Sequence, residues 1–336
     1  MKKLIISGAA VIFLAVFATG AMASTLEDVK KRGWLQCGVN TNLAGFASPD
    51  EKGEYQGFDA DFCRGLAAAI GVKVKFSPLT AKERFPALQS GEIDVLYRNT
   101  TYTMSRDTSV GLDFAGVNYY DGQGFMVRKK TGIKSAKKLS GATVCLQTGT
   151  TTELNLADYF RSNGMKYKPV LFEKTDDVRL AYEAGRCDVH TSDASQLAAQ
   201  RSAMKNPDEH VILPEIISKE PLGPAVRHGD NQWADVVRWV LNVHIIAEEK
   251  GVTQANVASI AKSTQDPDTQ RTLGQNGSFW TDIGLTNDAP INAIKAVGNY
   301  GEIFERNVGK KTPLALERNL NERWDKGGIL FAPPVR

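Results

Sequence analysis

The chain has 336 residues, with 41 lysines and arginines against 38 acids, a net charge of +3, four histidines and four cysteines. So even a balance argues against a nucleic-acid partner, which would favour a strongly basic face. The length suits two domains, at about 100–200 residues for each.

The first residues read as a secretory leader. Lys2 and Lys3 form a charged start, residues 4–17 are mostly apolar, and Ala21-Met22-Ala23 is an A-x-A cleavage site. The apolar run is shorter than the roughly 20 residues a membrane span needs. The expectation is cleavage after Ala23 and an exported chain. From there the elements alternate: a helix over 26–31, a strand over 35–39, a loop over 40–54, a helix over 60–70 opened by Gly57-Phe58-Asp59, a strand over 72–76 and a helix over 84–89. The segment 91–106, GEIDVLYRNTTYTMSR, then runs from a glycine turn through a buried strand into Arg98, Asn99, Thr100, Thr101, Thr103 and Arg106.

A second set follows. Strands are expected over 125–128, 143–147, 170–172 and 187–191, with helices over 153–163, 175–184 and 194–205, and short strands over 211–213 and 216–217. Strand–helix alternation of this kind reads as βαβ units on largely parallel sheets. Gly91–Asp94 and Gly185–Asp188 repeat one Gly-x-x-Asp strand entrance, which suggests two similar lobes. A helix over 233–249 returns to the first lobe, and 251–336 reads as short helices and loops wrapped on it. The expected division is 1–23 leader, 24–120 first lobe, 121–218 second lobe, 219–250 return and 251–336 extension.

An even cysteine count in an exported chain suggests disulfides. Of three possible pairings, Cys37–Cys63 with Cys145–Cys187 keeps each bridge inside one proposed lobe. No GxSxG, HExxH, Walker A loop or GxGxxG occurs. The histidines show no metal-like spacing, although His190, on the strand leading to Asp193, could line a cleft. Binding groups are better represented. Thr101 and Arg106 offer a hydroxyl and a guanidinium, Gly149-Thr150-Thr151 offers hydroxyls and helix N-terminal N–H groups, and Asp193 offers one negative charge at another strand end. Helix capping would also account for Thr150, Thr151 and Asp193. Together, a cation with N–H donors beside a single carboxylate is what an α-amino-acid zwitterion needs.

The segments around Gly53–Asp61, GEIDVLYRNTTYTMSR, VCLQTGTTTE and GRCDVHTSD fall in the order seen in the polar amino-acid-binding proteins of bacterial ABC transporters. The chain resembles their general L-amino-acid-binding subgroup over nearly its whole length after the leader, down to Tyr300-Gly301 and the ending Phe331-Ala332-Pro333-Pro334. This resemblance implies two α/β lobes in the type II periplasmic-binding-protein fold, with hinges near 120–123 and 218–221, and a C-terminal helical extension. It implies that Arg106 grips an α-carboxylate with Thr101, Thr150 and Thr151, and that Asp193 takes the α-ammonium beside Asn99. Where relatives place aromatic rings, this chain offers Leu43 or Asn42, and Thr80-Ala81, which points to a roomier pocket and broad specificity. Arg98 is expected either to meet a side-chain carboxylate or amide or to face the surface. The implied partners are a free L-amino acid and inner-membrane permease subunits, with a monomer in the periplasm and neither cofactor nor metal. The alternative is an exported dehydratase or lyase for small carboxylates, with Glu153 or His190 as its acid or base.

Overall fold

The computed structural model describes residues 24–336, so the leader and its cleavage site lie outside the described residues. No helix among them is long and apolar enough to cross a membrane. Two five-stranded sheets organise the chain, and both are built by the same rule. In the first, Lys73–Leu79, Trp34–Asn40 and Val95–Leu96 run parallel, and Ala225–Arg227 then pairs antiparallel between Val95–Leu96 and Leu112–Phe114. In the second, Lys168–Phe172, Thr143–Gln147 and Val189–Asp193 run parallel, followed antiparallel by Gln123–Arg128 and His210–Ile212. The chain crosses between lobes twice, and the crossings pair with each other: Tyr119–Asp121 lies antiparallel to Glu220–Leu222, with Asp121 opposite Glu220.

The repeated Gly-x-x-Asp entrances do the same work in each lobe. Asp94 accepts the Gln36 N–H at 2.7 Å, and Asp188 accepts the Thr143 N–H at 2.8 Å. Each carboxylate thus ties the start of its strand to the strand beside it. The buried strand expected within 91–106 spans only Val95–Leu96, because only these two residues pair with Trp34–Asn40. The residues 216–217 form no strand, although the Ile217 N–H still reaches Gln123 O at 2.9 Å.

Helix Phe58–Ile70 carries Phe58, Phe62, Leu66 and Ala69 on its buried face, at helical spacing. Gly57 opens it at φ +129, where a Cβ would stand 2.4 Å from Phe46 O, so only glycine fits. The ring of Phe58 meets Phe62 edge-on at 5.0 Å, and also Tyr119, Tyr300 and Phe304. The last two come from helix Tyr300–Asn307 of the C-terminal extension. That extension is therefore part of the first lobe's core. Polar contacts fix its position: Tyr300 Oη donates to Asn118 O at 2.9 Å, Arg306 Nη2 reaches Asp61 at 2.6 Å, and Arg318 forks onto both Glu248 oxygens at 3.1 Å. Asn321 holds the first crossing strand directly, since its side-chain amide accepts the Tyr120 N–H at 2.6 Å and donates to Tyr120 O at 3.0 Å.

The disulfides are Cys37–Cys63 and Cys145–Cys187, as the lobe argument expected, with Cα–Cα distances of 6.3 and 5.6 Å. The second closes a 42-residue separation in a lobe with a smaller core. Closing a loop of that size removes denatured-state freedom by about 3–4 kcal/mol. Replacing both Cys145 and Cys187 by alanine is expected to lower unfolding free energy by about that amount, measured by urea denaturation.

Candidate functional site

Both sheets point the carboxyl ends of their parallel strands at one cleft, the place where ligands lie in open α/β sheets. The lobes meet across it. Asn42 Nδ2 donates to Asp176 at 2.9 Å, Asn99 Nδ2 to Gln196 Oε1 at 3.1 Å, and the hydroxyls of Thr101 and Thr151 are 3.4 Å apart. Gly149, at φ +75, lets the second lobe approach so closely that an added Cβ would stand 3.1 Å from the Lys82 side chain. The structure is a closed form.

Three guanidinium groups are buried at this junction. Arg106 rides on the short helix Met104–Thr108, whose N-cap Thr103 accepts the Arg106 N–H at 3.3 Å. It donates to Thr101 O at 2.8 Å and lies over the Phe85 ring. Arg84 opens helix Arg84–Ser90 behind a capping pair: Glu83 accepts the Thr80 N–H at 2.8 Å, and Thr80 Oγ1 accepts the Glu83 N–H at 3.3 Å. Its Nη1 touches Thr100 Oγ1 at 3.3 Å, while its Nε has no partner. Arg98 donates from Nε to Leu79 O at 2.9 Å and leaves Nη2 without a partner. Burial disfavours the charge on all three. Arg84 is lowered well below its ordinary value by burial and by Arg106 and Arg98, and Arg98 is lowered to about 10 by burial, with Asp59 opposing. Arginine stays protonated in proteins, so each of these buried groups keeps a charge that its surroundings disfavour.

The acids answer only part of that charge. Asp193 ends the strand Val189–Asp193 and stands at the N-cap of helix Ala194–Ser202, yet its side chain makes no capping bond and accepts no hydrogen bond from another of the described residues. Burial, then Asp121 and Glu220, push its carboxyl well above the ordinary range. Asp121 is raised to about 6 by burial, although Ser195 and the Gly122 N–H donate to it. Asp59 is likewise raised to about 6 by burial, with the Asn99 N–H (3.0 Å) and Asn118 Nδ2 (3.3 Å) opposing. Glu220 differs from these acids: it accepts from Thr101 and Thr151 at Oε2 (2.6 and 2.9 Å) and from Asn155 and Ser218 at Oε1 (2.6 and 2.7 Å).

The residues singled out from sequence are therefore placed as follows. Arg106, Thr101, Asn99, Thr151 and Asp193 gather at the cleft. The hydroxyls of Thr101 and Thr151 are held by the protein's own Glu220. Thr150 does not join them, since its hydroxyl donates to Gln147 O at 2.8 Å. Leu43 departs from expectation: its bridge with Ala47 turns it inward, and it belongs to the first lobe's apolar core at 1% exposure, leaving Asn42 to face the other lobe. Arg98 is fully internal, beside Asp59. His190 also departs, because it is buried with Nδ1 at 3.2 Å from Cys145 O and Nε2 against Gln200. Glu153 is half-buried and takes the Thr148 hydroxyl at 3.4 Å. Sequence reasoning missed Arg84, Asp121 and Glu220. The Thr80-x-x-Glu83 cap at the end of a parallel strand was the available signal for Arg84.

Two similar lobes, paired crossing strands and a closed polar junction define a two-lobed ligand-binding protein. The family model for bacterial extracellular solute-binding proteins, family 3, matches residues 35–251, and the chain belongs to that family. It is 59% identical over 344 aligned residues to the general L-amino acid-binding periplasmic protein AapJ of Rhizobium johnstonii, with 100% of both chains covered. It is 54% identical to the glutamate/glutamine/aspartate/asparagine-binding protein BztA of Rhodobacter capsulatus, again over 100% of both. Among solved structures, an ABC transporter periplasmic binding protein from Brucella ovis with glutathione bound superposes with a TM-score of 0.91 at 61% identity, covering 94% of this chain and 100% of that one.

The raised acids give a pH test. The Asp121 carboxyl stands at about 6 against an ordinary 3.8, so the folded protein holds a proton that the unfolded chain releases. Its stabilising contribution is full below the ordinary value and is lost as pH rises through about 6. Buried His244, lowered to about 4, acts in the opposite sense, so the comparison must be differential. The stability of the ligand-free protein relative to Asp121→Asn is expected to fall as pH rises from about 4 to about 6, read by thermal denaturation of both proteins.

Proposed function

We propose that this chain captures L-α-amino acids by lobe closure and presents them to an ABC permease, working as a binding protein without catalysis. The observation that carries this reading is the buried, unbonded Asp193 carboxylate opposite guanidinium groups with unfilled hydrogen-bond capacity. A zwitterion supplies both missing charges: its ammonium to Asp193, with Asn99 beside it, and its carboxylate to Arg106 near the Thr101 and Thr151 hydroxyls. Arg84 is then left for a second acceptor. This favours side chains ending in a carboxylate or amide, in keeping with the glutamate, glutamine, aspartate and asparagine in the name of the Rhodobacter relative. Arg98, held against Asp59, supports this end of the site from behind.

The proposed setting is the periplasm, after cleavage behind Ala23, in keeping with the periplasmic relatives. Both halves of the site come from one chain, so a monomer suffices. The internal bonding of His190 removes it as the base on which the dehydratase alternative called.

Removing one partner of a buried ion pair costs about 3–5 kcal/mol, and each 1.4 kcal/mol is about tenfold in affinity. Calorimetry is expected to show Arg106→Ala weakening L-glutamate by about two to three orders of magnitude. Arg84→Met should weaken glutamate and aspartate more than alanine or leucine. Unchanged affinity in Arg106→Ala would remove it as the anchor, and equal losses across the panel would remove Arg84 from the side-chain end.

A further inference from the structure

Glu220 is 1% exposed and sits on the second crossing strand, outside both sheets. A buried carboxylate is costly unless its lone pairs are filled, and here each oxygen takes two donors. Their origin is the informative part. Thr101 comes from the first lobe, Thr151 and Asn155 from one helix of the second, and Ser218 from the crossing segment itself. The backbone repeats this convergence, because Thr101 also forms an isolated bridge with Leu222, two residues along.

Only the closed arrangement can bring all four donors to one carboxylate. A rotation that separates the lobes must carry Thr101 away from Thr151 and Asn155, leaving Glu220 to exchange at least one charged hydrogen bond for water. We propose that Glu220 is a closure latch: a positioning residue that sets the closed-to-open ratio of the ligand-free protein, and through it the apparent affinity. The proposal takes the amino-acid reading above as its functional setting. The linkage is arithmetic, since affinity for a ligand that binds the closed state scales with the fraction of protein already competent. Glu220 also acts electrostatically on Arg106, whose charged form it favours, and on Asp193, whose charged form it disfavours.

The test uses the chain from residue 24 onward with one fluorophore on each lobe, and reads the closed fraction by single-molecule energy transfer without ligand. Glu220→Gln keeps the shape but turns one acceptor into a donor facing other donors. It is expected to lower the closed-to-open ratio by about ten- to a hundredfold, the worth of hydrogen bonds to a charged group. Asn155→Ala, a half-buried change that removes one donor and leaves the core intact, should lower it by a smaller factor. Calorimetry with L-glutamate should show affinity falling by the same factor as the closed fraction in Glu220→Gln and Asn155→Ala. Wild-type ratios in both latch variants, or a wild-type protein with no closed fraction, would overturn the latch. Absence of heat with every L-amino acid would instead overturn the ligand reading, while the comparison of closed fractions would still stand.

Discussion

Charge held out of water without enough partners is the constraint around which this molecule is arranged. Arg84, Arg98 and Arg106 are each at most 7% exposed, as is Asp193. In an ordinary core such groups would be replaced by apolar ones, because desolvation often exceeds the attraction regained. Here the surrounding fold makes the arrangement tolerable. Each guanidinium is fixed by one backbone carbonyl or hydroxyl and, for Arg84 and Arg106, by the Phe85 ring. The remaining valences are directed inward and left open. A site of this kind selects by complement: a molecule that brings fewer charges leaves a buried ion unanswered.

Rigid lobes are the second requirement, because unfilled charges keep their geometry only if the walls do not relax onto them. The first lobe achieves this with an aromatic cluster that draws Tyr300 and Phe304 from the far end of the chain. The second lobe has two smaller apolar clusters, one of which contains the Cys145–Cys187 bridge. Closure can then act as relative motion of two bodies, with the cost of ordering the site already met within each.

Sequence reasoning reached the parts of this arrangement that are local. Alternating strand and helix patterns showed two similar lobes, and the Gly91–Asp94 and Gly185–Asp188 entrances turned out to be equivalent ties between strands. Arg106 and Asp193 stood out as charged groups beyond apolar strands, although capping served as well for Asp193 from sequence alone; its lack of a capping bond is visible only in the fold. Leu43 was misread because a one-pair bridge to Ala47, too short to leave a periodic pattern, decides which neighbour faces inward. Glu220 was invisible for a different reason: its donors Thr101, Thr151 and Asn155 lie 119, 69 and 65 residues away in sequence. Its role exists only after both lobes have folded and met. The extension was legible as short helices, but not as core, because the side chains it buries come from helices of eight and nine residues with no long repeat.

Behind the paired crossing strands lies a cleft of about 670 Å³, walled by Ala194, Ile212 and Ile216 of the second lobe and by Leu314, Leu316 and Leu320 of the extension. Asn321 is fastened to Tyr120 through both the N–H and the C=O of that residue, so the extension is tied to the very strand that carries the chain between the lobes and shares whatever displacement that strand undergoes.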